Sequence, residues 1–137
     1  MKKSYEEVLN RAVLILMAIA AQGATITYKD LALLLGLPIT GLNCGQRSEL
    51  QRLLDLLIVI GIKRKLPLLP LIVVRRDTGQ PGQGIEPVLR ALGIATEADL
   101  ADPVERAKLV KVEQQRAYYY CQHAANDNRY VIQAVGG

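Results

Sequence analysis

Phenylalanine and tryptophan are absent from this chain of 137 residues, and six tyrosines supply all of its aromatic content. The core must therefore be aliphatic, built from Leu, Ile, Val and Ala. Cysteine and histidine are nearly absent too, with only Cys44, Cys121 and His123. A zinc knuckle or redox pair needs its ligands a few residues apart, so this spacing excludes both, and neither metal nor cofactor is expected. Paired histidines, a nucleophile elbow and a Walker lysine are missing, and the acids are scattered over apparent helix surfaces, which argues against an enzyme. Cys121 and His123 are near neighbours, but residues two apart on a helix point away from each other. An active site would have to be assembled from residues such as Asp77, Glu86 and His123, which nothing in the sequence groups.

Charged residues make up only 22% of the chain and hydrophobic residues 50%, so enough apolar surface exists to offset chain entropy, and disorder is excluded over most of the length. No internal repeat or low-complexity tract interrupts it. The length suits one domain, residues 1–137, divided into a core over 1–85 and a C-terminal helical extension over 86–137. Seventeen basic residues against thirteen acidic give a net charge of +4, mildly basic and compatible with a polyanionic partner.

At the amino terminus Lys2 and Lys3 precede the apolar run Ala12 to Ala21, an order also found in secretory signals. Glu6, Glu7 and Arg11 put acids and charge where a signal peptide avoids them, and Ser4 with Glu7 forms a capping box that starts a folded helix. The run is about half the length a bilayer requires, so no membrane association is expected. The two lone cysteines fit a reducing, cytoplasmic setting.

Helical periodicity runs from Ser4 to about Gln22, apolar nearly all round after Val8, which predicts a helix buried between other elements and ended by Gly23. Thr27 and Asp30 form the cap of a second, short helix closed by Gly36. After the turn formers Pro38, Gly41, Asn43 and Gly45, a third helix is expected from about Gln46 to Ile60. Its Leu50, Leu53, Leu54, Leu57 and Ile58 point inward, and Arg47, Glu49, Gln51, Arg52 and Asp55 face water. Pro67 and Pro70 forbid helix, so Leu71 to Val74 reads as a buried strand, followed by the glycine-rich turn from Asp77 to Gly84. A short helix around Glu86 to Leu92 and a longer one from about Asp102 to His123, with Pro103 in its first turn, complete the helical part. Tyr130 to Val135 reads as a last strand that can pair with the earlier one.

The fold class is thus mainly α with a small β component. Three helices, a strand and a glycine-bearing loop follow the element order of a winged-helix domain, whose third helix enters the major groove. Asn43, Gln46, Arg47, Gln51 and Arg52 are side chains able to meet base edges or phosphates, although a merely solvated helix face carries the same residues. Lys63, Arg64, Lys65, Arg75 and Arg76 flank the helix end and the loop and can form a phosphate-binding stripe if folding gathers them. The run Tyr118, Tyr119, Tyr120 can stack nucleobases, pack a core edge or meet a second subunit or protein partner.

At Ile26-Thr27-Tyr28-Lys29-Asp30-Leu31-Ala32, followed by Leu35-Gly36-Leu37-Pro38, the chain resembles the winged-helix DNA-binding domain of alkylguanine DNA alkyltransferases and alkyltransferase-like proteins. The resemblance covers residues 8 to 85. In that family a Pro-Cys-His-Arg run before two valines carries the methyl-accepting cysteine; here Leu69, Pro70, Leu71 and Ile72 precede Val73 and Val74, so both the acceptor and the arginine of that motif are missing. The resemblance implies the fold and a DNA-facing surface, with Tyr28 at the position of a tyrosine that handles DNA backbone near a flipped nucleotide; ordinary packing is the equal alternative for Tyr28. Alkyl transfer is not implied. The expectation is a non-enzymatic, regulatory DNA-binding protein of winged-helix type, possible as a dimer. The alternative is a protein-interaction module or small inhibitor acting through the C-terminal helix and its tyrosines.

Overall fold

A computed structural model describes residues 2–37 and 44–126, with side chains from Glu6 to Leu37 and from Glu49 to Ala124. The chain forms α1 (Lys2–Ala21), β1 (Ile26–Thr27), α2 (Tyr28–Leu34), α3 (Cys44–Lys63), β2 (Val73–Val74), α4 (Glu86–Ala91), α5 (Glu97–Ala101) and α6 (Pro103–Asn126), so it is mainly helical with a small β component. None of the described helices is long and apolar enough to cross a membrane.

The centre of the fold is the apolar run Leu69 to Val74, every residue of which is buried. Pro67 and Pro70 cannot donate backbone hydrogen bonds, and the run takes up a short 3-10 turn over Leu69–Ile72 before it extends. The expected strand over Leu71 to Val74 therefore shrinks to Val73 and Val74. Helices α1, α3 and α6 close around this segment. Because the turn leaves the Leu71 carbonyl without a ladder partner, Gln114 of α6 reaches in and donates to it at 2.8 Å.

The small sheet is parallel, with Ile26 opposite Val73 and Thr27 opposite Val74. The chain before α2 is thus the described neighbour of β2, while the expected strand over Tyr130 to Val135 lies outside the described residues. A winged-helix hairpin returns antiparallel after its loop. Here the loop turns through Gln83–Ile85 into α4, with Pro87 in the first turn of that helix.

Local chemistry accounts for the helix ends. Thr27 caps α2 by accepting from the Asp30 N–H at 3.1 Å. Helix α5, which periodicity over so few residues does not announce, is fixed by a complete capping box between Thr96 and Asp99. Asp102 accepts from the Val104 N–H at 3.0 Å and so begins α6. Helix α1 begins at Lys2, so Ser4 lies inside its first turn instead of capping it; Lys2 and Lys3 are good helix formers and extend the turn backwards. Nor is α1 buried all round. Ala12, Val13, Leu16 and Ala20 face the core, and Leu14 and Ala18 remain outside.

The inward stripe of α3 is as expected, with Leu50, Leu53, Leu54, Leu57 and Ile58 buried and Glu49, Gln51, Arg52 and Asp55 exposed. Two clusters share the interior. One joins α1, α2, α3 and the central run to Ala117 and Cys121 of α6. The other joins Ile58 and Leu71 to Ile85, Leu89, Ala95, Leu100 and Val110. Helix α6 thus belongs to both clusters.

Candidate nucleic-acid interface

Three elements far apart in sequence meet beside the glycine-rich loop. Tyr28 opens α2, and its hydroxyl accepts from the Gly82 N–H at 2.8 Å across 54 residues of sequence. A β-carbon on Gly82 would stand 3.1 Å from that hydroxyl, tight enough that the tyrosine would have to shift by a few tenths of an ångström. Gln51 of α3 lies over Gly84, where an added β-carbon would come within 2.8 Å of its amide nitrogen, and that nitrogen donates to Asp55 at 3.0 Å.

The loop is held from behind as well. Arg106, only 13% exposed, pairs with Glu86 at 2.8 Å and donates to the Pro81 and Gly82 carbonyls at 3.0 and 3.1 Å. At the tip the Arg75 N–H donates to the Gln80 carbonyl at 2.9 Å, and Gly79 takes a positive φ of 69° that closes the turn. The Gln80 side-chain oxygen is buried with no hydrogen-bond partner among the described residues, an acceptor left for water or ligand.

Arg75 grips Asp77 with two hydrogen bonds of 3.0 and 2.9 Å. The guanidinium holds the Asp77 carboxyl below its ordinary range, and the carboxylate raises Arg75 in turn. Arg75 therefore brings little net charge to an anionic ligand. Arg52 and Arg76 are exposed and have no ion-pair partner among the described residues.

The residues expected in the basic stripe fall on two elements, the end of α3 and the segment after β2. Lys63, Arg64 and Lys65 lie at the far end of α3, about 18 Å from Gln51 along the axis at 1.5 Å per residue. They are exposed there, and Lys65 borders a groove against α6. Arg75 and Arg76 follow β2 directly. Asn43 lies outside the described residues, as do the side chains of Gln46 and Arg47, although α3 does carry both positions.

Of the tyrosine run, Tyr118 and Tyr120 are half-buried against the core and Tyr119 is 67% exposed with its ring against His123. Cys121 points the other way into the core, where burial pushes its thiol up to about 11. Asp77, Glu86 and His123 stay apart, each held by a different neighbour: Arg75, Arg106 and Tyr119.

Arg106 and Gln114 escaped the sequence reading. Both fall on the inward stripe of α6, at three-and-four spacing with Val110, Ala117, Cys121 and Ala124, and a polar or charged residue on an apolar stripe is the signal that marks them. Comparison with protein-family models, with curated proteins and with solved structures finds no match to this chain.

Proposed function

We propose that this chain is a non-enzymatic, duplex DNA-binding protein that uses the exposed face of α3 and the adjoining glycine-rich loop. The observation that carries the reading is the bond from Gly82 to Tyr28, which with Arg106 fixes the loop beside α3 before any ligand arrives. Gln51, Arg52 and Arg76 project from this fixed frame, with Gln46 and Arg47 one turn earlier on the same helix. Arginines contact phosphates and glutamines can meet base edges, so affinity comes chiefly from backbone charge, and the neutralised Arg75 contributes little. Tyr28 serves by holding the loop, and the resemblance to the alkyltransferase DNA-binding domain agrees with a DNA-facing role for this region.

The test is binding of a labelled duplex followed by fluorescence anisotropy as salt is raised. Neutralising three phosphates gives a slope of about −3 in log affinity against log salt. A flat dependence, or no binding at low salt, would remove the proposal.

A further inference from the structure

The groove at the far end of α3 has a chemistry of its own. Val112, Arg116, Tyr119 and His123 recur at helical spacing along α6 and form one wall, and Lys65, Leu66 and Pro67 form the other. The space is about 790 Å³ and open, within the range that holds a small organic ligand. Tyr119 and His123 bring their rings to 4.1 Å at 52°, leaving most of the tyrosine exposed. Among the described residues no acidic side chain lines the groove, although Arg116 pairs at 3.7 Å with the mostly buried Glu113 behind it.

Lys65 adds an independent observation. Helices α1, α2 and α4 each close with a glycine at positive φ, Gly23, Gly36 and Gly93, at 69°, 74° and 73°. Helix α3 closes with the same pair of backbone hydrogen bonds, from Lys65 to Ile62 and from Leu66 to Gly61, yet the left-handed position holds lysine at φ 57°. A side chain strains that conformation, so the helix end alone does not select a lysine there, and its side chain borders the groove.

We infer that this groove binds single-stranded nucleic acid, an unpaired base stacking on Tyr119 while Arg116 and Lys65 take the flanking phosphates. Aromatic faces select unpaired bases because duplex bases hide theirs in the stack, and the cations supply a backbone track, Lys65 exposed and Arg116 still 72% exposed beside Glu113. The inference rests on residues other than those of the duplex-binding face and stands or falls separately.

The experiment is anisotropy of a short labelled oligothymidylate with the full chain and its Tyr119→Ala, Lys65→Gly and Arg52→Ala/Arg76→Ala variants, alongside thermal melting. Tyr119→Ala is expected to weaken binding at least about fivefold, the loss of one base stack. Lys65→Gly is expected to weaken binding while raising the melting temperature by about 3 °C, since glycine relieves the strained turn. The double arginine variant should bind the oligonucleotide as the unaltered chain does. Undiminished binding by both Tyr119→Ala and Lys65→Gly would overturn the inference. So would competition by thymidine monophosphate as effective as by the strand, or a Tyr119→Ala variant that changes only the oligomeric state.

Discussion

The two ends of α3 present opposite kinds of surface. At the Gln51 end the loop is tied to α2 by Tyr28 and to α6 by Arg106, and one of its two arginines is neutralised by Asp77. At the Lys65 end a strained lysine, an exposed tyrosine and a largely solvated arginine stand around an open groove with no acid among the described residues of its lining. One region has rigid geometry and few available charges; the other has charges and aromatic surface with little to fix them. A count of basic residues therefore says little about a binding surface, because geometry decides which charges are already used and which share a face.

The strongest way to break this contrast is Arg106→Met. It leaves Glu86 without its partner and the Pro81 and Gly82 carbonyls without their donor, and is expected to cost about 3 kcal/mol in urea denaturation. Duplex affinity should fall with it, and oligothymidylate affinity should not. Tyr28→Phe removes only the acceptor for the Gly82 N–H, an expected loss of about 1 kcal/mol, and should loosen the loop enough to raise its hydrogen exchange while the α3–α6 groove is unaffected. Lys65→Gly should act with the opposite sign, adding about 1 kcal/mol of stability by the same denaturation measurement.

Asp77→Asn gives the smallest effect and the sharpest reading of charge. It frees Arg75 at a loop whose backbone is held by other bonds, so duplex binding should tighten and its salt slope should steepen by at most about one phosphate. The carboxyl is depressed in the folded chain, so its favourable interaction is complete above the ordinary carboxylate range and fades as pH falls through the lower folded value. The pair is exposed, so this acid-side change is minor, and carbon-detected NMR titration of Asp77 would show the depressed midpoint directly.

Much of the fold was legible because helices announce themselves by period. The stripe from Leu50 to Ile58, the cap at Thr27 and the start of α6 near Pro103 all follow from local rules. The central run was misread because six apolar residues give no period to separate a buried strand from a 3-10 turn. Helix α5 was missed because five residues are too few for a stripe, even though Thr96 and Asp99 carry its cap. The candidate site was legible by residue type and not by arrangement. Tyr28 stood out, but its partner Gly82 lies 54 residues away, and no local rule links them. Arg75 and Lys65 look alike in sequence, and only the fold pairs one with Asp77 and sets the other at the far end of α3.

The two proposed nucleic-acid surfaces lie at opposite ends of one helix, and crossing two variants with two probes separates them. Arg52→Ala/Arg76→Ala and Tyr119→Ala are each titrated against labelled duplex and labelled oligothymidylate at two salt concentrations. The account predicts that the arginine variant loses the duplex and keeps the strand, and that the tyrosine variant does the reverse. Equal losses for both probes with either variant would contradict it, because one shared surface would then bind both.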